Sequence, residues 1–205
     1  MKDGSTSELR KYLAAADLTN KEALNEYSTL IQGVELCDSF FSEQLLKESP
    51  KMGATQGILA MQARMLLFSA TRMALSGHAA ATLPLLRTSL EAACYSYMVG
   101  HDSDKETIWL NRHKSEEAGR ACRRAFTSAV TDAAKLIEAQ DGVSVGTQQL
   151  ISGAYQASID FGAHPNPKSV LPHLRIDKER EDGKIEVGLH HHKHYTVYQY
   201  QHRTN

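Results

Sequence analysis

Disulfide chemistry has little to work with in this chain. The three cysteines, Cys37, Cys94 and Cys122, are odd in number, widely spaced and form no CxxC pair. That excludes a disulfide framework and a zinc site built on Cys pairs. Each cysteine sits in a stretch of helical apolar spacing, so buried free thiols in a reducing cytoplasm are expected. Nor is there any run near the roughly 18 consecutive apolar residues of a membrane span. The N-terminal MKDGSTSELRKYLAAADL carries charge throughout and lacks a signal-peptide apolar stretch. A cytoplasmic protein with no membrane attachment is the expectation. A dominant charge is missing as well. The 23 basic and 24 acidic residues leave a net charge of −1, which removes the general electrostatic argument for a nucleic-acid binder. No Gly-rich phosphate loop or nucleophile elbow occurs, and no cofactor is implied. What remains is a chain of 205 residues, 41% of them hydrophobic. That is enough to bury a core without disulfides or metal and too apolar for intrinsic disorder.

Alanine divides the chain in two. All 24 alanines lie at or before Ala163, whereas seven of the ten histidines and three of the five prolines follow it. Residues 1–164 therefore read as an Ala-rich helical domain. Residues 165–205 read as a Pro-rich connection, a β-hairpin and a His- and Tyr-rich tail. Within the body, a shorter helix is expected around Ser7 to Ala16. Asn20 is expected to cap a helix running to about Glu48, with Leu30, Val34, Cys37, Phe41 and Leu45 on one face. Residues 54–75 are apolar nearly all round, the pattern of a central helix, and Ser76-Gly77 breaks it. A third helix is expected from Ala80 to Val99, with Pro84 tolerable in its first turns and Gly100 as its stop. Ser103 and Glu106 then have capping-box spacing, opening a helix that reaches Gln140 before Asp141-Gly142. Thr147 caps the last helix, which ends at His164-Pro165. In the tail, Asp182-Gly183 stands between two alternating stretches, a hairpin signal. The expected fold is mainly α, an antiparallel helix bundle with a small C-terminal β-hairpin extension.

Several polar residues stand where an apolar one would serve the core better. Arg87 and Glu91 are the sole charges on LPLLRTSLEAACYSYMV and share a face at i,i+4. They are candidates for a polar core tying helices together, or for the floor of a ligand pocket. Asp160 and His164 stand four apart on the last turn of a helix, where the carboxylate can fix the tautomer of the imidazole. His113 precedes Glu116 and Glu117, with Arg120, Arg123 and Arg124 following. The order His before Glu does not match the Glu-x-x-His pairs of a di-iron bundle, and a solvated face with a weak phosphate signal is the expectation. In HHHKH, residues His190, His192 and His194 would share one face of a strand, a geometry that can hold zinc or nickel.

The stretches GHAAATLPLLRTSLEAACYSYMV and AYQASIDFGAHPNP resemble a group of bacterial helical proteins. These carry a Gly, then Arg-x-x-x-Glu on an apolar helix, then a Ser-to-His-Pro segment. The matching positions are Gly77, Arg87, Glu91, Ser158, His164 and Pro165, within residues 55–190. The group is distantly similar to the HEPN superfamily of helical bundles, which includes metal-independent ribonucleases and toxins. The resemblance implies a link to defence or stress. It also marks RMALSGH, with Arg72 and His78, as the counterpart of the Arg and His of those ribonucleases. Met73 stands where they carry a polar residue directly after the Arg. In such a site His78 would exchange protons with the ribose 2′-OH and Arg72 would stabilise the charged phosphorane.

Three functions are therefore open: an interaction or ligand-binding component with Arg87, Glu91, Asp160 and His164 as its polar residues, a HEPN-like ribonuclease acting on RNA, and a metal-binding protein. A homodimer is expected, because a two-stranded hairpin is marginal alone and its open edge invites a partner. A protein partner is compatible with the first function.

Overall fold

The computed structural model describes residues 7–45, 47, 51–140 and 142–162, together with the backbone of 174–179, 185–189 and 196–200. Among the described residues the protein is mainly α-helical. The helices are α1 (Glu8–Glu26), α2 (Ser28–Ser39), α3 (Ala54–Leu75), α4 (Ala79–His101), α5 (Ser103–Asn111), α6 (Glu116–Phe126), α7 (Ala129–Glu138) and α8 (Thr147–Gly162). A π-helical turn, Phe40–Leu45, continues α2. No helix among the described residues is long and apolar enough to cross a membrane.

The centre of the bundle is the hairpin of α3 and α4. Ser76 and Gly77 turn the chain between them, as their composition predicts. Gly77 has φ of +79°, a left-handed conformation that glycine adopts without a Cβ penalty. The Gly77 N–H donates to the Ala74 carbonyl and the His78 N–H to the Met73 carbonyl, closing the end of α3 in a Schellman arrangement. Two α4 hydroxyls then fasten the helices. Ser89 donates to the Ala63 carbonyl at 2.7 Å and Ser96 to the Gln56 carbonyl at 2.9 Å. Both pairs are seven residues apart, and one runs up as the other runs down, the signature of antiparallel helices in register.

Gly100 does not stop α4, which continues to His101. A Cβ at Gly100 would meet only the flexible end of the Gln56 side chain. At the α8–α4 junction a glycine does permit close helix approach. A Cβ on Gly162 would stand 2.7 Å from Leu83 Cβ and 2.8 Å from Pro84 Cδ.

Two other expectations are corrected. The helix expected to start around Ser7 does so, with the Ser7 hydroxyl accepting the Arg10 N–H, but it runs on past Ala16 to Glu26. Asn20 lies inside α1, and the break falls at Tyr27, whose φ and ψ of −104° and 44° leave the helical region. The single helix expected from Ser103 to Gln140 is three helices. Asp102, not Ser103, caps α5 by accepting from the N–H groups of Asp104 and Lys105. Ser115 accepts the Ala118 N–H and starts α6. Thr127 donates to the Arg123 carbonyl and Ser128 to Asp132. Short hydroxyl side chains offered the backbone and its neighbours local partners, and the helix yielded at each.

The core lies where α3, α4, α6 and α7 meet. Its buried members include Leu59, Cys94, Met98, Phe126, Val130 and Ala133, with Trp109, Ile151 and Tyr155 packed around them. Phe126 lies against Tyr95 with ring centroids 4.5 Å apart. The C-terminal extension is only partly reached. The turn expected at Asp182-Gly183 lies outside the described residues.

Candidate functional site

Arg87 and Glu91 acquire a third member from another helix. Arg87 Nε donates to Glu91 Oε1 at 3.0 Å, and the Tyr155 hydroxyl of α8 donates to the same oxygen at 2.8 Å. The guanidinium also reaches the Tyr155 hydroxyl at 3.5 Å and lies 5.5 Å from its ring centroid. The expectation of a partner from a neighbouring helix is met. The two charged side chains are partly buried, at 33% and 27% exposed.

This carboxylate shapes the chemistry around it. Burial pushes the Tyr155 hydroxyl upward from its ordinary value, and its hydrogen bond to Glu91 adds to the rise. Burial pulls the Arg87 guanidinium down, but the hydrogen bond and charge of Glu91 outweigh it and the net shift is upward. Cys94, one turn along α4, is pushed up to about 11 by burial and then by the Glu91 charge. Both Tyr155 and Cys94 are thus neutral near pH 7, and neither is an activated nucleophile. The cluster is a fixed polar tie between α4 and α8.

Beside it lies an apolar cavity of about 450 Å³. The π-helical turn forms its roof through Phe40, Phe41 and Leu45. The α3–α4 hairpin forms its floor at Ala60, Ala63 and Cys94, and Ile137 and Ile151 close it from α7 and α8. Small floor residues leave the space, and the two aromatic rings, edge to face at 6.0 Å, keep it covered. A second apolar space of about 400 Å³ adjoins it and shares Phe41, Leu45, Met52 and Ala60. Two of the polar groups at the larger cavity have partners. Ser96 holds the Gln56 carbonyl, and the Tyr97 hydroxyl accepts from Gln140 at 2.7 Å. The roof is pinned by Arg64 of α3, whose Nε and Nη2 lie 2.7 and 2.6 Å from Asp38 Oδ1 at the end of α2. The triad stands about one helical turn from the cavity wall on both helices: Cys94 follows Glu91 by three residues, and Tyr155 follows Ile151 by four.

No family model, curated protein or solved structure matches this chain. The meaning of the site rests on its own geometry.

The other sequence candidates are placed as follows. Arg72, in the last turn of α3, is held by Asp17 of α1 at 2.6 Å. His78 precedes α4 and meets Tyr12 of α1 edge-on, with centroids 5.3 Å apart. Both residues of RMALSGH are therefore engaged with α1. Asp160 accepts from the Gln156 amide at 3.1 Å, while His164 lies outside the described residues, as do His190, His192 and His194. Among the described residues no group of three or more His, Cys, Asp or Glu side chains could hold a metal ion. Cys94 and Cys122 are buried free thiols, as their helical spacing implies, but Cys37, expected to be buried, is exposed on α2.

Sequence reasoning missed Tyr155, the π-helical roof and the Arg64 anchor. Arg64 did leave a signal, as a lone cation in the first part of an otherwise apolar helix. Tyr155 left none, because pairing with Glu91 depends on the packing of α8 on α4.

Proposed function

We propose that this protein is a ligand-binding or interaction component built as a helix bundle, and that the cavity beneath Phe40–Leu45 receives an apolar small molecule. The observation that carries this reading is the cavity itself. It is of ligand-binding size, apolar and formed at the meeting of several elements, with an adjacent polar cluster. π-Helical turns recur at functional sites, and here one supplies the cover. The cytoplasmic setting is supported by three free thiols, and the link to defence or stress rests on the resemblance alone. Filling the cavity tests the reading. Ala93→Phe, at an exposed α4 position on the cavity wall, should weaken binding of a fluorescent fatty-acid probe at least tenfold while the melting temperature holds. Undiminished binding would place the probe elsewhere and remove the proposal.

The assembly belongs to the same reading. Leu9 and Leu13 on α1 and Leu30 and Leu36 on α2 are all about half or more exposed and offer apolar contacts to a second copy. Antiparallel backbone pairing of 174–179 with 185–189, Ile176 facing Val187, and of 185–189 with 196–200 supports the hairpin and a third strand. We read the protein as a homodimer, and light scattering on the full chain should give twice 22.7 kDa. A monomer mass excludes it.

The ribonuclease alternative is carried by Arg72 and His78 alone. It predicts cleavage of single-stranded RNA that survives EDTA and disappears in His78→Ala; an inert wild-type protein ends it. The metal alternative is carried by His190, His192 and His194 of the tail or by Asp160 and His164, and ends if calorimetry finds no zinc binding.

A further inference from the structure

The α5–α6 junction carries a second cleft, unlike the first in chemistry. Its inner part, about 310 Å³, has Tyr95, Cys122 and Phe126 as an apolar floor. Its outer part, about 580 Å³, is polar and includes Ser115, Glu116 and Arg120. Arg112, His113, Gly119 and Arg123 line both parts, so an apolar end floored by two aromatic rings opens directly into a cationic mouth.

The cations of that mouth are unevenly matched. Arg120 is bound by Glu117 at 3.0 Å and Glu116 at 3.7 Å. Arg112 and Arg123 have no carboxylate partner among the described residues. Arg112 lies over the Trp109 ring at 5.4 Å and donates Nε to His113 Nε2 at 2.8 Å. Elsewhere Arg64, Arg72 and Arg87 each hold an acid. Two uncompensated guanidiniums converging on one cleft suit a dianion, and the guanidinium fork matches phosphate oxygens.

Gly119 is the second observation. Glycine inside a helix costs about 1 kcal/mol relative to alanine, and α6 is only 11 residues long. Its backbone is ordinary α-helix, so no positive φ calls for it. A Cβ there would stand 3.4 Å from the Arg112 carbonyl oxygen and 3.7 Å from Arg123 Nη1. It would occupy the point where the apolar and cationic parts join. Both are ordinary contact distances, so packing does not demand glycine here, and its lack of a side chain leaves the join between the two parts wider than any other residue would.

We propose that this cleft binds a phosphate monoester carrying a flat ring, a nucleoside monophosphate, with the ring toward Tyr95 and Phe126 and the phosphate between Arg112 and Arg123. The site is separate from the apolar cavity and does not depend on the reading of it. Calorimetry on the full chain tests it with three probes: adenosine monophosphate, adenosine and inorganic phosphate. The monophosphate should bind saturably, and each fragment at least tenfold more weakly. Arg123→Gln should weaken the monophosphate at least tenfold, while Arg124→Gln, a neighbouring exposed arginine outside the lining, should leave it within twofold. Gly119→Ala improves helix propensity and should still lose binding, which separates blockage from unfolding. Absence of saturable binding of the monophosphate overturns the proposal. So does equal loss in Arg123→Gln and Arg124→Gln, which marks diffuse charge, and so does inorganic phosphate binding as tightly as the monophosphate, which removes the ring subsite.

Discussion

Replacing Phe126 with alanine is expected to lower stability by about 3–5 kcal/mol, the range for removing a buried aromatic side chain. Phe126 is 5% exposed at the end of α6 and lies against Tyr95. Around it stand Cys122, Ala129, Val130 and Ala133, all buried. Ala133 is 0% and Ala129 2% exposed, and short side chains cannot lengthen to refill the space. The lost ring therefore leaves a void as well as losing its transfer free energy. Urea denaturation of the wild type and the variant measures the difference. A loss under about 1.5 kcal/mol would show that α6 is peripheral to the core. Phe126→Leu, which keeps most of the volume, should cost clearly less, since volume-conserving exchanges are usually tolerated within about 1.5 kcal/mol.

Glu91→Ala should cost about 1.5–3 kcal/mol, the second largest effect. Two donors, Arg87 Nε and the Tyr155 hydroxyl, lose the same acceptor, and hydrogen bonds to a charged partner contribute about 1.5–3 kcal/mol. A fully buried pair broken on one side costs about 3–5 kcal/mol. Exposure of about a third on each side chain lets water reach the stranded guanidinium and reduces that figure. The double replacement Arg87→Met with Glu91→Leu should be nearly neutral, because it removes both charges together. Tyr155→Phe tests the third member. Its effect should be non-additive with Glu91→Ala by at least about 0.5 kcal/mol, the coupling expected of residues sharing one bond network. Thermal or urea unfolding of the four proteins reads this directly. A change within 0.5 kcal/mol for Glu91→Ala would mean the triad does not tie α4 to α8.

Local signals were legible where the determining chemistry lies within a few residues. The limits of α3 follow from an apolar run ended by Ser76-Gly77, whereas Thr147, expected to cap α8, is its first residue and donates its hydroxyl to the Ser144 carbonyl. The isolation of Arg87 and Glu91 on an apolar helix announced a polar tie before any partner was visible. Glycine misled at Gly100 because the residue does not always stop a helix. It also lets another element approach, as at Gly162, and only the packing decides which. Residues 103–140 misled for a related reason. Ser, Thr and Asp are acceptable inside a helix and also cap one. The decision between Ser103 and Asp102, or for breaks at Ser115 and Thr127, depends on how the pieces must bend to bring Cys122, Phe126 and Ala133 to one core.

The sequence by itself determined a mainly helical, Ala-rich body, the α3–α4 turn and the absence of a disulfide framework, because periodicity, turn residues and cysteine spacing act over short range. Tertiary structure alone decided that Tyr155 completes the Arg87–Glu91 pair and that Asp17 of α1 takes Arg72. It also decided that a π-helical turn borders an apolar cavity, and that Arg112 and Arg123 line one cleft with Tyr95 and Phe126. Each of these joins residues far apart in the chain. A side chain's partner across such a distance is set by helix packing and by the charge and volume left unfilled at the contact, and neither is written in local spacing.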